Sequence, residues 1–427
     1  MQALLLLLLL VSTADAVCES HYPHKLDVAF YWARLGADDA PLVWEKSCPD
    51  LNTTAPGFDA DRPSLLLVHG LQPGMVAAGT RFAVDGELDD VLRPYLQMGT
   101  NVGAFLWGQF GNHDVLKFVY TEDQIYTHDS FDKTGYVVQT RRGRLREANG
   151  ARRTIPDYFI EAWRFHFPNG RTYPRVEVAG HSLGTQVALR AAYLLHTGHP
   201  SVDKKPDAVT LLDAVMSKSS KRHFERSPCG RTVSANMGCM ARTLNLNHSV
   251  PIRYFKSSFI NYCIFSARED IDLVEYTAFA TVKLSLYGRH PLQSCWDSRL
   301  LGSAHHLNKM IDKISYQMTM QHTMIIPYYL LSRFHPPHVC VVNRTASTPD
   351  RRACTPTAAL ALSAAMPDAD VLGWSRPPAG LGRGAKLCFH EYDDFGDPAY
   401  NATGSHTMTL DPGDDLYLLR PCISTST

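Results

Sequence analysis

Gly180-His181-Ser182-Leu183-Gly184 is the stretch best suited to do chemistry. This G-x-S-x-G pattern follows a short apolar run, Val176 to Ala179, and precedes a helix-like segment beginning at Leu183. In that setting it predicts a tight strand-to-helix turn that lifts a serine hydroxyl above a sheet edge. The flanking glycines are then required because strand and helix crowd those positions. A serine hydroxyl attacks a carbonyl once a histidine removes its proton, and a carboxylate must orient that histidine. The oxyanion that forms needs backbone N–H donors.

The chain offers candidates for each part. With a serine on such an elbow, acid and then base follow it along the chain. Asp213 ends the next apolar run, Val209 to Leu212, so its carboxylate would face the same sheet edge as Ser182. Asp270 and Asp272, in a charged stretch, are the alternative acid. For the base, the small-residue loop Gly302-Ser303-Ala304 leads to His305 and His306 and then to a helix-like segment; His322 stands among the remaining histidines. The oxyanion donors fall to the N–H of Leu183, just after the nucleophile, and to that of Leu71, in the loop after Leu67-Val68-His69-Gly70. His166, His223 and His290 read as surface or core residues. His196/His199 and His335/His338 have metal-like spacing but lack cysteine or acidic partners, so no metal is expected. The mechanism calls for no organic cofactor either.

Several elements must position these groups. Leu65–Val68, Asn101–Trp107, Arg175–Ala179, Ala208–Leu212 and Val250–Phe255 are apolar runs with turn residues at their ends, as buried parallel strands require. Helices fall between them. One is capped by Thr154 with Pro156 in its first turn, and its apolar face carries Tyr158, Phe159, Ala162, Trp163 and Phe165. A second covers Leu183 to His196, with Gly198 just past its end. A third covers Leu307 to Tyr316. Strands alternating with helices predict an α/β sheet, mostly parallel, with helices on both faces.

Composition narrows the class. Of 427 residues, 42 are Lys or Arg and 42 are Asp or Glu, so the formal net charge is zero. A nucleic-acid partner is not expected from that balance. Residues 1–16, MQALLLLLLLVSTADA, read as a secretory signal peptide: the apolar run is too short to span a bilayer, and Ala14-Asp15-Ala16 suits cleavage. No later segment is long and apolar enough to span. The mature chain is expected to be secreted, which agrees with ten cysteines, an even number that can pair. Asn52, Asn247, Asn343 and Asn401 begin glycosylation sequons. Positions 17–335 read as one catalytic domain. Positions 336–427, after His335-Pro336-Pro337-His338, read as a small disulfide-rich β region, either a module or an extension of the first domain. Its strand-like runs are Leu387–Phe389, Thr407–Leu410 and Leu416–Leu419. Six arginines between Arg141 and Arg153 would suit an anionic surface, or form a solvated loop.

Taken in order, VHGL at 68–71, NVGAFLWG at 101–108, VAGHSLG at 178–184, TLLDA at 210–214 and HHL at 305–307 resemble secreted lipases of the pancreatic-lipase type, within the α/β-hydrolase fold. The resemblance spans roughly positions 60–320. It implies a serine carboxylester hydrolase acting on lipid esters, such as triacylglycerol or phospholipid, at a lipid–water interface. The family's base is followed by leucine, which favours His306. A lid usually lies between acid and base, and Cys229 and Cys239 could tie off a loop there. Two departures stand out. Alanine, Ala214, follows the acid where the family often has proline, and 336–427 is short for the family's C-terminal β-sandwich. A non-lipid esterase, or a non-catalytic lipid-binding or storage protein on the same scaffold, would be the alternative.

Overall fold

Apolar runs that end in histidine, glycine or aspartate become the strands of one sheet. The computed structural model describes residues 28–37, 40–72, 88–111, 118–127, 137–140, 143–146, 153–217, 221, 224–225, 227–256, 280–283, 322–331, 338–341, 387–391 and 416–421. Its strands are β1 (Ala29–Arg34), β2 (Val43–Lys46), β3 (Ser64–Val68), β4 (Asn101–Leu106), β5 (Val137–Thr140), β6 (Gly143–Arg146), β7 (Val176–His181), β8 (Ala208–Leu212), β9 (Ile252–Lys256), β10 (Ala280–Lys283), β11 (His338–Val341), β12 (Leu387–Glu391) and β13 (Leu416–Pro421). The helices are α1 (Asp89–Gln97), α2 (Phe118–Tyr126), α3 (Ile155–His166), α4 (Gly184–Thr197), α5 (Val233–His248) and α6 (His322–Leu331).

Eleven strands form the sheet in the order β11-β13-β12-β10-β9-β8-β7-β3-β4-β1-β2, while β5 and β6 make a separate hairpin. From β4 across to β10 every neighbouring pair is parallel. Antiparallel β1 and β2 close one side. The described strands beyond position 336 add to the other side of this same sheet: β12 pairs parallel with β10, β13 antiparallel with β12, and β11 parallel with β13. The expected run Thr407–Leu410 lies outside the described residues, as do the leader 1–16 and the helix expected over Leu307–Tyr316.

Helices cover both faces. Alternation along β1 sends Phe30 and Trp32 into the main core with α3 and α4, and Ala29 and Tyr31 to the opposite side beside Leu106. The α3 helix starts as expected: the Thr154 N–H donates to Asp157 Oδ2 at 2.7 Å, within a capping box. Its buried face is Ile155, Pro156, Phe159, Ile160, Ala162, Trp163 and His166, with Tyr158 half-buried against the same core as expected and His166 more deeply buried than Phe165. His166 is a core residue. Its Nδ1–H donates to Ala162 O at 2.7 Å, and its Nε2 accepts from the Ser47 hydroxyl at 2.7 Å.

A mostly parallel sheet, helices on both faces and a strand–serine–helix turn after central β7 make this the α/β-hydrolase fold. The chain winds from β3 outward to β4, then returns to place β7 on the other side of β3. That reversal puts a topological switch point at the carboxyl ends of β3 and β7, the place where open α/β sheets bind ligands.

Candidate active site

Register brings the sequence motifs together. Val68 of β3 pairs with Gly180 of β7, and His181 pairs with Leu212 of β8. The His69-Gly70 loop, Ser182 and Asp213 therefore leave three adjacent strands side by side at one sheet edge.

Ser182 sits at φ 57, a left-handed conformation that a side chain normally avoids. Such strain costs on the order of 1–3 kcal/mol and persists only where neighbours enforce it. The neighbours here are specific. Ser182 N–H donates to Leu212 O at 3.0 Å, and Ser182 O accepts from Thr185 N at 3.2 Å and Thr185 Oγ1 at 2.6 Å. Helix α4 starts hard against the end of β3: a Cβ on Gly184 would lie 2.2 Å from Val68 O and 2.4 Å from His69 O. Only a residue without a side chain fits there.

The loop after β3 is organised by His69. Its Nδ1 lies 2.8 Å from Gly70 O, and its Nε2 lies 3.0 Å from the Trp107 backbone nitrogen. A carbonyl can only accept and an N–H can only donate. Hence Nδ1 carries the proton and Nε2 is the acceptor. Burial, partly offset by the Gly70 bond, pushes the His69 pKa down to about 4, so the ring is neutral at neutral pH. It stacks on the Trp107 indole, whose Nε1–H donates to His69 O at 2.8 Å. Gly70 C=O and Leu71 N–H belong to one trans peptide. Holding the carbonyl toward His69 turns the N–H the opposite way. Among the described residues neither Leu71 N–H nor Leu183 N–H meets an acceptor. Both donors named from the sequence are thus unengaged, on the two segments that flank Ser182. The sequence placed His69-Gly70 in the loop of the Leu71 donor, but the ring's own contacts with Gly70 and Trp107 were not read from it.

Asp213 also has a left-handed backbone, φ 44, and its carboxylate is buried. Its Oδ2 accepts from His322 Nδ1–H at 2.6 Å. His322 opens α6, and its side chain is 9% exposed against 2% for Asp213. The sequence favoured His306, then His305; both lie outside the described residues, as do Asp270 and Asp272. The histidine that the structure brings to Asp213 is His322. It was hard to single out because it opens an apolar helix with no small-residue loop before it to mark the start. With Nδ1 engaged by Asp213, Nε2 is the nitrogen left to take a proton. Ser182 Oγ has no hydrogen-bond partner among the described residues; such bonds are often long without substrate and tighten when it binds.

The chain leaving Asp213 is anchored from below. Gln186 Nε2, on α4, donates to Val215 O at 2.6 Å and to Glu122 Oε1 at 2.9 Å. Ser217 N–H donates to the same Glu122 oxygen at 2.8 Å. Lys221 Nζ lies 2.9 Å from Glu122 and 2.8 Å from Asp123, with all three side chains largely buried. Burial alone would lower the Lys221 pKa, but Glu122 and Asp123 outweigh it and hold the value above the ordinary one. Farther on, Cys229 and Cys239 form a disulfide across the turn into α5, whose first turn is capped by the Thr232 hydroxyl accepting from Ala235 N–H. The bridge expected to tie off a loop thus closes the start of a helix.

No cluster of metal-binding type occurs among the described residues. His196 Nε2–H instead donates to Pro206 O. Of the basic stretch, Arg153 is exposed and paired with Glu161.

No family model matches the chain, and no curated protein does. Among solved structures it is similar to a putative dienelactone hydrolase from Klebsiella pneumoniae, at 12% identity over 62% of this chain and 89% of that one, with a TM-score of 0.31. A carboxyl esterase from Bacillus coagulans matches at 11% identity over 67% and 97%, TM-score 0.29. A lipase in its open form matches at 13% identity over 44% of each chain, TM-score 0.20. With scores this low, the fold is read from the chain's own sheet order and elbow.

Proposed function

We propose that this protein is a secreted serine carboxylester hydrolase acting on lipid esters. The observation that carries the reading is the 2.6 Å bond between His322 Nδ1 and Asp213 Oδ2, buried at the sheet edge where Ser182 is held on its strained turn. In this reading Ser182 Oγ attacks the acyl carbonyl and His322 Nε2 takes its proton. His322 then returns the proton to the leaving alcohol, and Asp213 stabilises the imidazolium. Leu71 and Leu183 N–H groups receive the oxyanion. Water then attacks the acyl-enzyme by the same route and releases the acid.

The lipid half of the proposal draws on the sequence resemblance to pancreatic-type lipases. Export draws on the leader at 1–16, on the Cys229–Cys239 bridge, and on the exposed sequon positions Asn52 and Asn247. An anionic contact through Arg141–Arg153 would place such an enzyme on a charged interface.

The test is a fluorophosphonate label, with turnover of a short soluble ester and of an emulsified long-chain triglyceride. Wild type should label and turn over ester. Ser182→Ala should do neither, and His322→Ala should lose most of both while His306→Ala keeps them. Labelling that survives Ser182→Ala would overturn the nucleophile. A dead His306→Ala beside an active His322→Ala would move the base to the favoured site of the sequence reading.

A further inference from the structure

The side chain immediately before the nucleophile makes a contact that the scheme above leaves unused. His181 Nε2 lies 2.7 Å from the main-chain oxygen of His322, and the two rings are 4.5 Å apart. A carbonyl only accepts, so His181 carries its proton on Nε2 and donates it. The nitrogen is committed to that bond and cannot itself act on Ser182.

The same strand grips the same helix a second time. Glu177, at the start of β7, accepts from the Tyr329 hydroxyl near the end of α6, and also from Thr210 Oγ1 and Arg253 Nη1. Glu177 and His181 are four residues apart on a strand and so lie on one face of the sheet. The strand covers about 13 Å between them. From His322 to Tyr329 the helix rises about 10 Å. The order of the contacts, His181 with His322 and Glu177 with Tyr329, runs α6 antiparallel to β7; the helix packs over β8 and β9 and is clamped at each end by a β7 side chain. Tyr95 Oη adds a second hold at the far end, donating to Leu330 O at 2.8 Å. At the near end the holds are the Asp213 carboxylate on the ring and His181 on the backbone. A carboxylate alone would let the residue pivot; the backbone bond removes that freedom.

On the triad reading given above, we infer that His181 is a positioning residue: its Nε2–H, bonded to the His322 carbonyl, sets the direction in which the His322 ring presents Nε2 to Ser182. Burial, with His322 adding to it, pushes the His181 pKa down to about 3, so the donor is neutral across the working range of an esterase. The titratable groups around it are His322, Asp213 and His69.

Two amides separate this role from simple packing. Gln at 181 can bring an N–H to where Nε2 lies, whereas Asn reaches only as far as Nδ1. Purified His181→Gln, His181→Asn, His181→Met and His322→Ala are compared with wild type on a soluble short-chain ester, for kcat, KM and the pH profile of kcat/KM. Misplacing a reacting group by about 1 Å can cost about 10²-fold. The Asn and Met variants should therefore lose about 10²-fold in kcat with KM changed less than about twofold, and the acid limb of their pH profiles should move. Gln should stay within about tenfold of wild type. Equal losses in Gln and Asn would overturn the inference, as would wild-type kcat and pH profile in Asn and Met. Full activity in His322→Ala would strike the triad itself, a result distinct from either.

Discussion

Gly70 stands so close to Ser182 that a Cβ built on it would lie 2.4 Å from the serine Cβ and 3.0 Å from its hydroxyl oxygen. The loop carrying Leu71, the proposed donor, is thus packed against Ser182, the proposed nucleophile, with no room for one methyl group. Gly70→Ala must push the loop away, and with it the Leu71 N–H. Losing one oxyanion donor typically costs about 10²–10³ in kcat. That is the drop expected for Gly70→Ala on a soluble ester, with the Cys229–Cys239 bridge intact and melting temperature lowered by a few degrees at most. Wild-type turnover would mean the loop supplies no donor.

Asp213→Asn tests the orienting acid. The amide is nearly the same size, so the turn at φ 44 and its neighbours should survive. An Asn nitrogen cannot accept from His322 Nδ1–H, and the neutral side chain no longer stabilises an imidazolium. Triads altered in this way lose about 10⁴-fold in kcat. Turnover should fall by that order at pH 7, while unfolding in urea stays within about 1 kcal/mol of wild type. A loss under tenfold would remove Asp213 from the mechanism.

These residues differ in how well the sequence exposes them. Ser182 is legible because the elbow is a local device: two glycines and a strand-helix change within a few residues carry the whole signal. Asp213 is legible because the parallel pairing of β7 and β8 makes consecutive strand ends neighbours. The proposed base is another matter. Where His322 falls in space depends on α6 lying antiparallel to β7, clamped by Tyr329 on Glu177 and by His181, which are contacts between residues about 150 positions apart. No local pattern encodes such a distance. The same holds for His69, whose ring works by reaching Trp107, and for Glu122, which ties the Asp213 loop to α2. Of the described C-terminal strands, those over Leu387–Glu391 and Leu416–Pro421 were legible and that over His338–Val341 was not, and an apolar run shows a strand without naming its partner.

The Glu122–Lys221–Asp123 cluster predicts a stability cost. Glu122 is fully buried and Lys221 nearly so. Removing one partner of such a group leaves an uncompensated charge, typically at about 3–5 kcal/mol. Lys221→Met should fall in that range by urea unfolding at pH 7. The paired change with Glu122→Gln should recover part of it, since only the Asp123 carboxylate is then left without its lysine. Because the Lys221 pKa is raised, its contribution is complete below about pH 10.5 and is lost only as pH climbs through the higher folded value. An additive double variant would show that the two groups do not interact.

Acid should unfold the protein through its buried histidines. Burial lowers the pKa of His166 and of His69 to about 4, and of His181 to about 3, all from 6.5. Each is neutral in the fold and titrates normally once unfolded, so between those values the unfolded chain binds more protons. Their stabilising contribution is therefore complete above about pH 6.5 and drains away as pH falls toward 4, with His181 continuing to about 3. For one such group the total is on the order of 3 kcal/mol, a large share of the roughly 5–15 kcal/mol that holds a domain. His166 is the cleanest to test because it lies in the aromatic core with Phe30, Trp32 and Phe58 rather than beside Ser182. Its Nε2 accepts from Ser47, and protonation would set two donors against each other there. Melting temperature should fall steeply from pH 6.5 to 4.5. In His166→Gln it should start lower at pH 7 and fall by less over the same interval. An equally steep fall in that variant would show that the acid transition belongs to other groups.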